Sequence, residues 1–166
     1  ILKILARTHP SKIVVCSTAP QIRYPDCYGI DMSELGKFIA FAAAIALHRR
    51  AGRQSLLDQI YDDCQAELKR PPNERTNRVQ AVYESFTHEE ISAEISRMVY
   101  PEGIEWDGEV QVIFQTIENL HASIKGSCGD WYFTGNYPTP GGYSMVNLAY
   151  LRWYEGVGGR SYDLPL

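Results

Sequence analysis

The segment with the most potential for chemistry follows a short β-branched run, Lys12–Cys16. It is irregular and reads Ser17-Thr-Ala-Pro-Gln-Ile-Arg-Tyr-Pro-Asp-Cys-Tyr-Gly-Ile-Asp-Met32. A short β-branched run of this kind is typical of a buried parallel strand. In open α/β sheets ligands bind just beyond the carboxyl ends of strands, and irregular loops carry function more often than core segments do. We therefore expect residues 17–32 to form a functional loop.

The other residue types that could do chemistry are too widely spaced to form a recognisable motif. The four histidines lie far apart, and none has a metal-ligand partner four residues later. The sequence contains no Walker loop, dinucleotide-binding glycine motif, zinc-protease motif or nucleophile elbow. The four cysteines include no Cys-x-x-Cys pair, which favours reduced structural thiols over a disulfide framework. They are Cys16, Cys27, Cys64 and Cys128.

The composition indicates an ordinary globular protein of about one domain. The chain has 166 residues, is 45% hydrophobic and carries a formal net charge of -4. This mild acidity argues against nucleic-acid binding, which needs clustered Lys and Arg on one face. No apolar run approaches the ~20 residues that cross a bilayer, and no secretory signal is present. We expect a cytoplasmic protein without a membrane or nucleic-acid partner. The start at Ile1, without Met and within an apolar helical pattern, suggests a fragment.

The elements around the loop are predicted to be mainly helices. Ser33 is a plausible N-cap for a helix that reaches about Arg50, with Gly52 in the C-cap position. Further helices are expected over residues 55–70 and 73–86, and Thr87-His-Glu-Glu90 is a capping box that begins the next one. The remaining predictions are a strand over Val110–Phe114, a helix over Thr116–Ile124, a small strand through Trp131 and Phe133, and a last helix capped by Ser144.

The order of motifs resembles that of glutamine phosphoribosylpyrophosphate amidotransferases. In that family the strand after the phosphoribosylpyrophosphate loop ends in Ser/Ala-x-x-Pro, and Tyr-Gly-Ile-Asp follows. Ser17–Pro20 and Tyr28–Asp31 match these motifs, and the resemblance covers nearly the whole chain except roughly residues 38–85. The later matches keep the family's order and are Ser33-Glu-Leu35, Glu89-Glu-Ile91, Val112-Ile-Phe-Gln-Thr-Ile117 with Glu118-Asn-Leu120, and Phe133-Thr-Gly-Asn-Tyr-Pro138.

The resemblance implies a mostly helical α/β fragment. It would contain the last strand and loop of a type I phosphoribosyltransferase core, then a helical insertion and C-terminal small strands and helices. The implied segments are the end of the phosphoribosyltransferase core (residues 1–32), a helical insertion (33–86), a C-terminal α/β segment (87–157) and a tail (158–166).

The family catalyses the first committed step of purine synthesis. Glutamine and phosphoribosylpyrophosphate give phosphoribosylamine, glutamate and pyrophosphate, and Mg²⁺ assists the transferase step. The family's substrate loop, with two adjacent aspartates, should lie before Ile1. The resemblance therefore implies that the Mg²⁺ ligands and the catalytic residues lie outside this chain, which alone should be inactive. The implied partners of the parent enzyme are glutamine and phosphoribosylpyrophosphate, and we expect a homo-oligomer.

The resemblance also suggests which residues lie near the substrate. By position, the first four loop residues would border the acceptor side of the transferase site, and three later ones would lie nearby, although loop packing alone explains them equally well. The first group is Ser17, Thr18, Ala19 and Pro20, and the second is Tyr28, Gly29 and Asp31.

A [4Fe-4S] cluster occurs in some family members, and this sequence departs from their ligand pattern. Asp26 stands at one ligand position, with Cys27 one residue late, and Cys128-Gly-Asp-Trp131 replaces the family's Cys-x-x-Cys. We therefore expect no cluster and no metal site. Two other interpretations remain open: a non-catalytic interaction module that works through the helical insertion, and a metalloprotein that uses Cys27 and Cys128.

Overall fold

A computed structural model describes residues 1–26, 32–124, 126 and 129–158. The chain is mixed α/β and mostly helical, and its described residues contain a parallel sheet of two strands. This confirms the coarse fold class predicted from the sequence. Among the described residues, no helix is both long enough and apolar enough to span a membrane.

The sheet pairs β1 (Lys12–Ser17) with β2 (Glu109–Phe114) in parallel, from Lys12 opposite Glu109 to Ser17 opposite Phe114. Since side chains alternate along a strand, one face of the sheet carries Ile13, Val110 and Val112, all of them buried. The opposite face is open, and Val14 and Ile113 on it are 48% and 45% exposed. The prediction of a buried β1 is therefore right for one face only.

Seven α-helices and three short 3₁₀ helices are present in the described part of the chain. The α-helices are α1 (Leu2–Ala6), α2 (Ile39–Arg50), α3 (Gln54–Leu68), α4 (His88–Met98), α5 (Ile117–Ser123), α6 (Trp131–Thr134) and α7 (Pro140–Tyr154). The 3₁₀ helices are Leu35–Lys37, Pro72–Glu74 and Arg78–Val82.

The apolar faces of the long helices form the core. α3 packs on α7, α2 packs on α4, and α4 packs on β2. The Phe41 ring of α2 meets the rings of Tyr150 and Trp153 from α7 edge-on, at centroid distances of 6.2 and 4.7 Å. Edge-to-face contact is a favoured arrangement of aromatic pairs. Other fully buried members of the core include Leu35, Leu57, Ile60, Val79, Val82, Ile91 and Ile95.

Several helix ends follow the sequence signals. Thr87 and Glu90 form the predicted capping box of α4, because the Thr87 hydroxyl accepts from the Glu90 N–H while the Glu90 carboxylate accepts from the Thr87 N–H. Thr116 caps α5 through the N–H of Asn119. Gly52 lies just after α2 with φ of 67°, the left-handed conformation that glycine adopts without a steric cost.

Two predicted helix starts are wrong. Ser33 does not cap α2, since a 3₁₀ turn comes first and the extended residue Phe38 then occupies the N-cap position. Ser144 lies inside α7, which begins four residues earlier because Pro140 takes the first turn, where its missing N–H has no cost. The Ser144 hydroxyl instead accepts from Arg75 and donates to the carbonyl of Pro140.

Two predicted elements also differ from the structure. The amphipathic pattern over residues 73–86 forms two 3₁₀ helices rather than one α-helix, and Asn77 caps the second of them by accepting from the N–H of Val79. The small strand expected through Trp131 and Phe133 is the helical turn α6 instead. Gly135 ends that turn with φ of 73°, so its amide bonds back to the carbonyl of Trp131.

Candidate functional site

The loop that follows β1, hereafter the β1 loop (residues 17–32), begins with a local turn. The Ser17 hydroxyl donates to the carbonyl of Ala19 at 2.9 Å and accepts from its N–H at 3.3 Å. Thr18 is exposed, whereas Pro20 is buried. The turn therefore presents the Thr18 side chain to solvent at the carboxyl end of β1, where parallel sheets bind ligands.

Gln21 anchors the β1 loop to α4. Its side chain is almost fully buried, and its Nε2 donates to the carbonyl of His88 and to the hydroxyl of Ser92, both at 2.9 Å. Its Oε1 accepts from Nε and Nη2 of Arg23 at 3.2 and 2.8 Å. Every polar atom of the Gln21 amide that can donate or accept thus has a partner, as burial requires.

Arg23 and Tyr24 join the β1 loop to α6. Both backbone N–H groups donate to the carbonyl of Tyr132, at 2.8 and 3.0 Å. The Arg23 guanidinium also lies 5.2 Å from the centre of the Tyr83 ring, within the range of a cation–π contact. The Arg23 side chain is therefore held by the amide oxygen of Gln21 and the ring of Tyr83. Its backbone is held by the carbonyl of Tyr132.

Two tyrosine hydroxyls donate hydrogen bonds to the backbone of the β1 loop. Tyr83 donates to the carbonyl of Arg23 and Tyr137 to that of Pro25, each at 2.6 Å. Burial raises the pKa of Tyr83 well above its ordinary value, and burial likewise raises the pKa of Tyr24. The phenols of Tyr83 and Tyr24 therefore stay protonated. They serve as hydrogen-bond donors or as packing surfaces and do not act as bases.

Gly135 lets two parts of the site approach closely. A Cβ atom there would lie 2.4 Å from Nδ2 of Asn77 and 2.9 Å from the ring of Tyr24. Nδ2 of Asn77 donates to the Gly135 carbonyl at 3.0 Å. The segment around Gly135 belongs to the Phe-Thr-Gly-Asn-Tyr-Pro motif, so this motif lies directly against the β1 loop.

The structure describes some of the predicted site residues and not others. Ser17, Thr18, Ala19 and Pro20 form the turn at the end of β1. Tyr28, Gly29 and Asp31 lie outside the described residues, as do Cys27 and Cys128.

Sequence reasoning missed the residues that hold the loop in place. Two belong to the loop itself and three to distant segments, one of which acts through its backbone carbonyl, and sequence alone could not pair them. They are Gln21, Arg23, Tyr83, Tyr132 and Tyr137. For Gln21 the sequence did offer a signal, because it is a polar residue between Pro20 and Ile22.

The two described cysteines have different surroundings. Cys16 is exposed on the open face of the sheet, whereas Cys64 is buried and its thiol donates to Oδ1 of Asn147 at 3.3 Å. Burial raises the pKa of the Cys64 thiol to about 12, so this thiol is structural rather than nucleophilic. Among the described residues, no group of three or more His, Cys, Asp or Glu side chains could hold a metal ion.

Comparisons with models of protein families, with curated proteins and with solved structures find no match to this chain.

Proposed function

We propose that this chain is the C-terminal portion of a glutamine phosphoribosylpyrophosphate amidotransferase. The parent enzyme would transfer ammonia from glutamine to the C1 carbon of phosphoribosylpyrophosphate and release pyrophosphate. In this proposal the β1 loop borders the acceptor side of the transferase site. The turn Ser17–Pro20 would form that border, and Tyr28, Gly29 and Asp31 would lie nearby.

One observation carries the proposal. Three of the motifs that resemble the family are far apart in the sequence, yet residues within or next to them contact one another at the β1 loop. Gln21 bonds to α4 across 67 residues, and Tyr137 bonds to Pro25 across 112 residues. A family in which these motifs build one site would require this convergence, whereas an accidental sequence likeness would not.

The sheet offers a second line of support. β1 pairs with β2 on one side, and the backbone groups of Lys12, Val14 and Cys16 point to the other side, because backbone groups alternate along a parallel strand. A larger parallel sheet would continue here, and in the proposed enzyme the strands beside β1 would belong to the rest of the phosphoribosyltransferase core.

The proposed chemistry is mainly electrostatic. Positive charge develops on the sugar carbon as pyrophosphate leaves, and Mg²⁺ would neutralise the departing diphosphate. We assign the ligands of this Mg²⁺ and the catalytic groups to parts of the parent enzyme outside the chain. The buried Gln21 and the cluster of tyrosines would keep the β1 loop in one conformation, since a loosely held loop positions a substrate poorly.

The test is an assay of the complete protein encoded by the gene that contains these residues. We expect release of pyrophosphate from phosphoribosylpyrophosphate that depends on both glutamine and Mg²⁺. Thr18→Val should raise the KM for phosphoribosylpyrophosphate, and Thr8→Val, at an exposed position outside the β1 loop, serves as the control. A complete protein that releases no pyrophosphate under these conditions would overturn the proposal.

A second candidate function is that of a non-catalytic interaction module. The exposed apolar surface of the chain favours this alternative. Several large apolar side chains of α1, its N-cap and the open sheet face are exposed, and exposed apolar clusters mark interaction sites. They are Ile1, Ile4, Leu5, Val14 and Ile113. A complete protein with no transferase activity that binds another protein through this surface would favour the module over the enzyme.

A further inference from the structure

A groove of about 750 Å³ lies between α4 and the free edge of β2. Hereafter it is the α4–β2 groove. Its floor is formed by small residues of α4, which include Ser92, Ala93 and Ser96. Its wall is the whole of β2. It lies on the side of the sheet away from the free edge of β1, so it is separate from the surface that the proposed enzyme would use to continue its sheet.

Main-chain groups of β2 face the α4–β2 groove. The amides of Glu109 and Gln115 donate to β1 or its flank, at the carbonyls of Ser11 and Ser17. By the alternation of a parallel strand, the N–H and C=O groups of Val110, Val112 and Phe114 therefore point away from β1. The N–H of Val112 donates to the Ser96 hydroxyl at 2.8 Å, which leaves the N–H groups of Val110 and Phe114 on either side of it.

The charges at the rim of the groove indicate what such a chain would carry. Asp107 lies just before β2, and Glu89 lies beside His88, whose ring is 6.4 Å from that of Phe114 at the other end of the strand. Neither carboxylate forms an ion pair within the described residues. Arg97, a cation at the rim, shares the Glu94 carboxylate with Arg50, at 2.6 and 2.8 Å. Free negative charge thus stands at both ends of the groove.

This charge pattern argues against a second copy of the chain as the occupant. A symmetric pairing of two β2 edges would bring the acidic rim of one copy against the acidic rim of the other. Like charges that face each other across an interface are unfavourable and suppress such pairing. An extended segment with basic ends and an apolar middle would instead match the carboxylates at both ends and the apolar strand between them.

We propose that the α4–β2 groove binds an extended, basic segment of a partner protein as an added β-strand. Main-chain hydrogen bonds to Val110 and Phe114 would supply pairing, as in other cases of strand addition. Lysine or arginine side chains near Glu89 and Asp107 would fix the direction and register. Alternate apolar side chains of the segment would lie over Ala93 and the neighbouring serines. This proposal is independent of the amidotransferase activity.

The experiment uses fluorescein-labelled peptides and the 166-residue chain. The probe is Lys-Lys-Val-Ser-Val-Ser-Val-Lys-Lys, titrated by fluorescence anisotropy at low salt. A second peptide replaces every lysine with glutamate and tests charge. A third replaces both serines with proline, which removes two backbone N–H groups and prevents strand pairing. Both control peptides should bind at least about tenfold more weakly than the probe.

Two matched substitutions test where the probe binds. Ala93 is exposed on α4 at the groove, and Ala66 is exposed on α3, outside the lining of the groove. Ala93→Arg should weaken binding about tenfold because its side chain fills the groove and repels the basic probe, whereas Ala66→Arg should change it less than about twofold. The pair Glu89→Gln with Asp107→Asn should weaken binding about fivefold.

Hydrogen exchange supplies a readout that electrostatic attraction alone would not change. The bound probe should slow exchange of the Val110 and Phe114 amides. The proposal would be overturned if the probe did not bind, or if the proline peptide bound as tightly as the probe. It would also be overturned if Ala93→Arg and Ala66→Arg weakened binding equally. Sedimentation that shows a dimer dispersed by Ala93→Arg but not by Ala66→Arg would also overturn it, because a second copy would then occupy the groove.

Discussion

The imidazole Nε2 of His48 lies 2.8 Å from the carbonyl oxygen of Val82 and joins α2 to the 3₁₀ helix Arg78–Val82. The His48 side chain is fully buried, and its ring centroid is 4.6 Å from that of Phe86. Burial lowers the pKa of His48 below its ordinary value, the hydrogen bond to Val82 opposes this change, and the charge of Arg53 adds to it. The neutral ring that donates to Val82 is therefore the form that the fold stabilises.

This relationship predicts a loss of stability in mild acid. The unfolded chain binds a proton at His48 below an ordinary pKa of about 6.5, whereas the folded chain does so only at lower pH. The free energy of unfolding should thus be constant above that value and fall as the pH decreases towards the folded pKa. His48→Gln keeps a donor for Val82 and does not titrate, so its urea midpoint should change less between about pH 7.5 and 5. An unchanged slope in His48→Gln would contradict the assignment.

Glu94 should stabilise the contact between α2 and α4. Its side chain is 2% exposed and accepts from Arg50 at 2.8 Å and from Arg97 at 2.6 Å. Glu94→Gln should cost about 2 kcal/mol in urea unfolding at neutral pH, because the buried carboxylate loses charge-assisted bonds while both arginines can turn to solvent. Glu102→Gln, at an exposed loop position, should change the free energy of unfolding by about 0.5 kcal/mol or less.

The difference between wild type and Glu94→Gln should disappear in acid. The hydrogen bond from Arg97 is the largest influence on the pKa of Glu94 and, with the contribution of Arg50, lowers it despite burial. A carboxylate with a lowered folded pKa stabilises the fold above the unfolded pKa, and this contribution is lost as the pH falls through the folded pKa. Equal destabilisation at neutral pH and at about pH 3 would show that lost packing, not charge, explains the effect.

The sequence predicted local features better than distant contacts. The capping box at Thr87 depends on residues within one turn, so the sequence pattern is sufficient. Ser33 and Ser144 carry the same local signal and fail, because Phe38 and Pro140 provide other helix starts nearby. A cap residue is thus informative only where no competing start lies within a turn.

The candidate site could be predicted only as a segment. The position of Ser17 at the end of β1 follows from the β-branched run, but the partners of the loop do not. The bond from Gln21 to His88 spans 67 residues, and no periodic pattern records which carbonyl a buried amide will reach. The rings of Tyr83 and Tyr137 are both buried in the core, and their hydroxyls also support the loop.

Asn147 should be among the most sensitive polar positions. It is fully buried in α7, and its Nδ2 donates to the carbonyls of Thr76 and Tyr143 at 2.7 and 2.8 Å. Its Oδ1 accepts from the N–H of Arg78 at 3.1 Å and from the Cys64 thiol. Asn147→Ala should cost about 3 kcal/mol in thermal or urea unfolding, because it leaves several buried groups without partners. The exposed control Asn73→Ala should stay within about 0.5 kcal/mol, and a similar result for Asn147→Ala would show that water replaces the amide.

The tyrosine hydroxyls should restrict motion of the β1 loop more than they stabilise the whole fold. The double variant Tyr83→Phe with Tyr137→Phe removes the donors to Arg23 and Pro25, each worth about 1 kcal/mol. We expect faster hydrogen exchange at Arg23 and Tyr24 and faster proteolysis near them, with α3 and α7 unchanged. Tyr61→Phe, which removes a solvent-exposed bond to Glu155, is the control. If the double variant exchanges like the wild type, the ring contacts alone hold the loop.

Gly135 should tolerate a side chain much less than a glycine with the same backbone conformation. Its φ is 73° and that of Gly52 is 67°, so alanine at either position has the left-handed cost of about 1–2 kcal/mol. A Cβ at Gly52 meets nothing within 4 Å, whereas one at Gly135 would lie 2.4 Å from Nδ2 of Asn77. Gly52→Ala should therefore lower the free energy of unfolding by about 1 kcal/mol, and Gly135→Ala by about 3 kcal/mol or more, since Asn77 and Tyr24 must also move. Gly135→Ala should in addition speed hydrogen exchange at Tyr24, while Gly52→Ala should not. Equal costs for the two alanine substitutions would mean that backbone conformation alone requires glycine at position 135. The close approach of the Phe133–Pro138 motif would then not be needed to order the β1 loop.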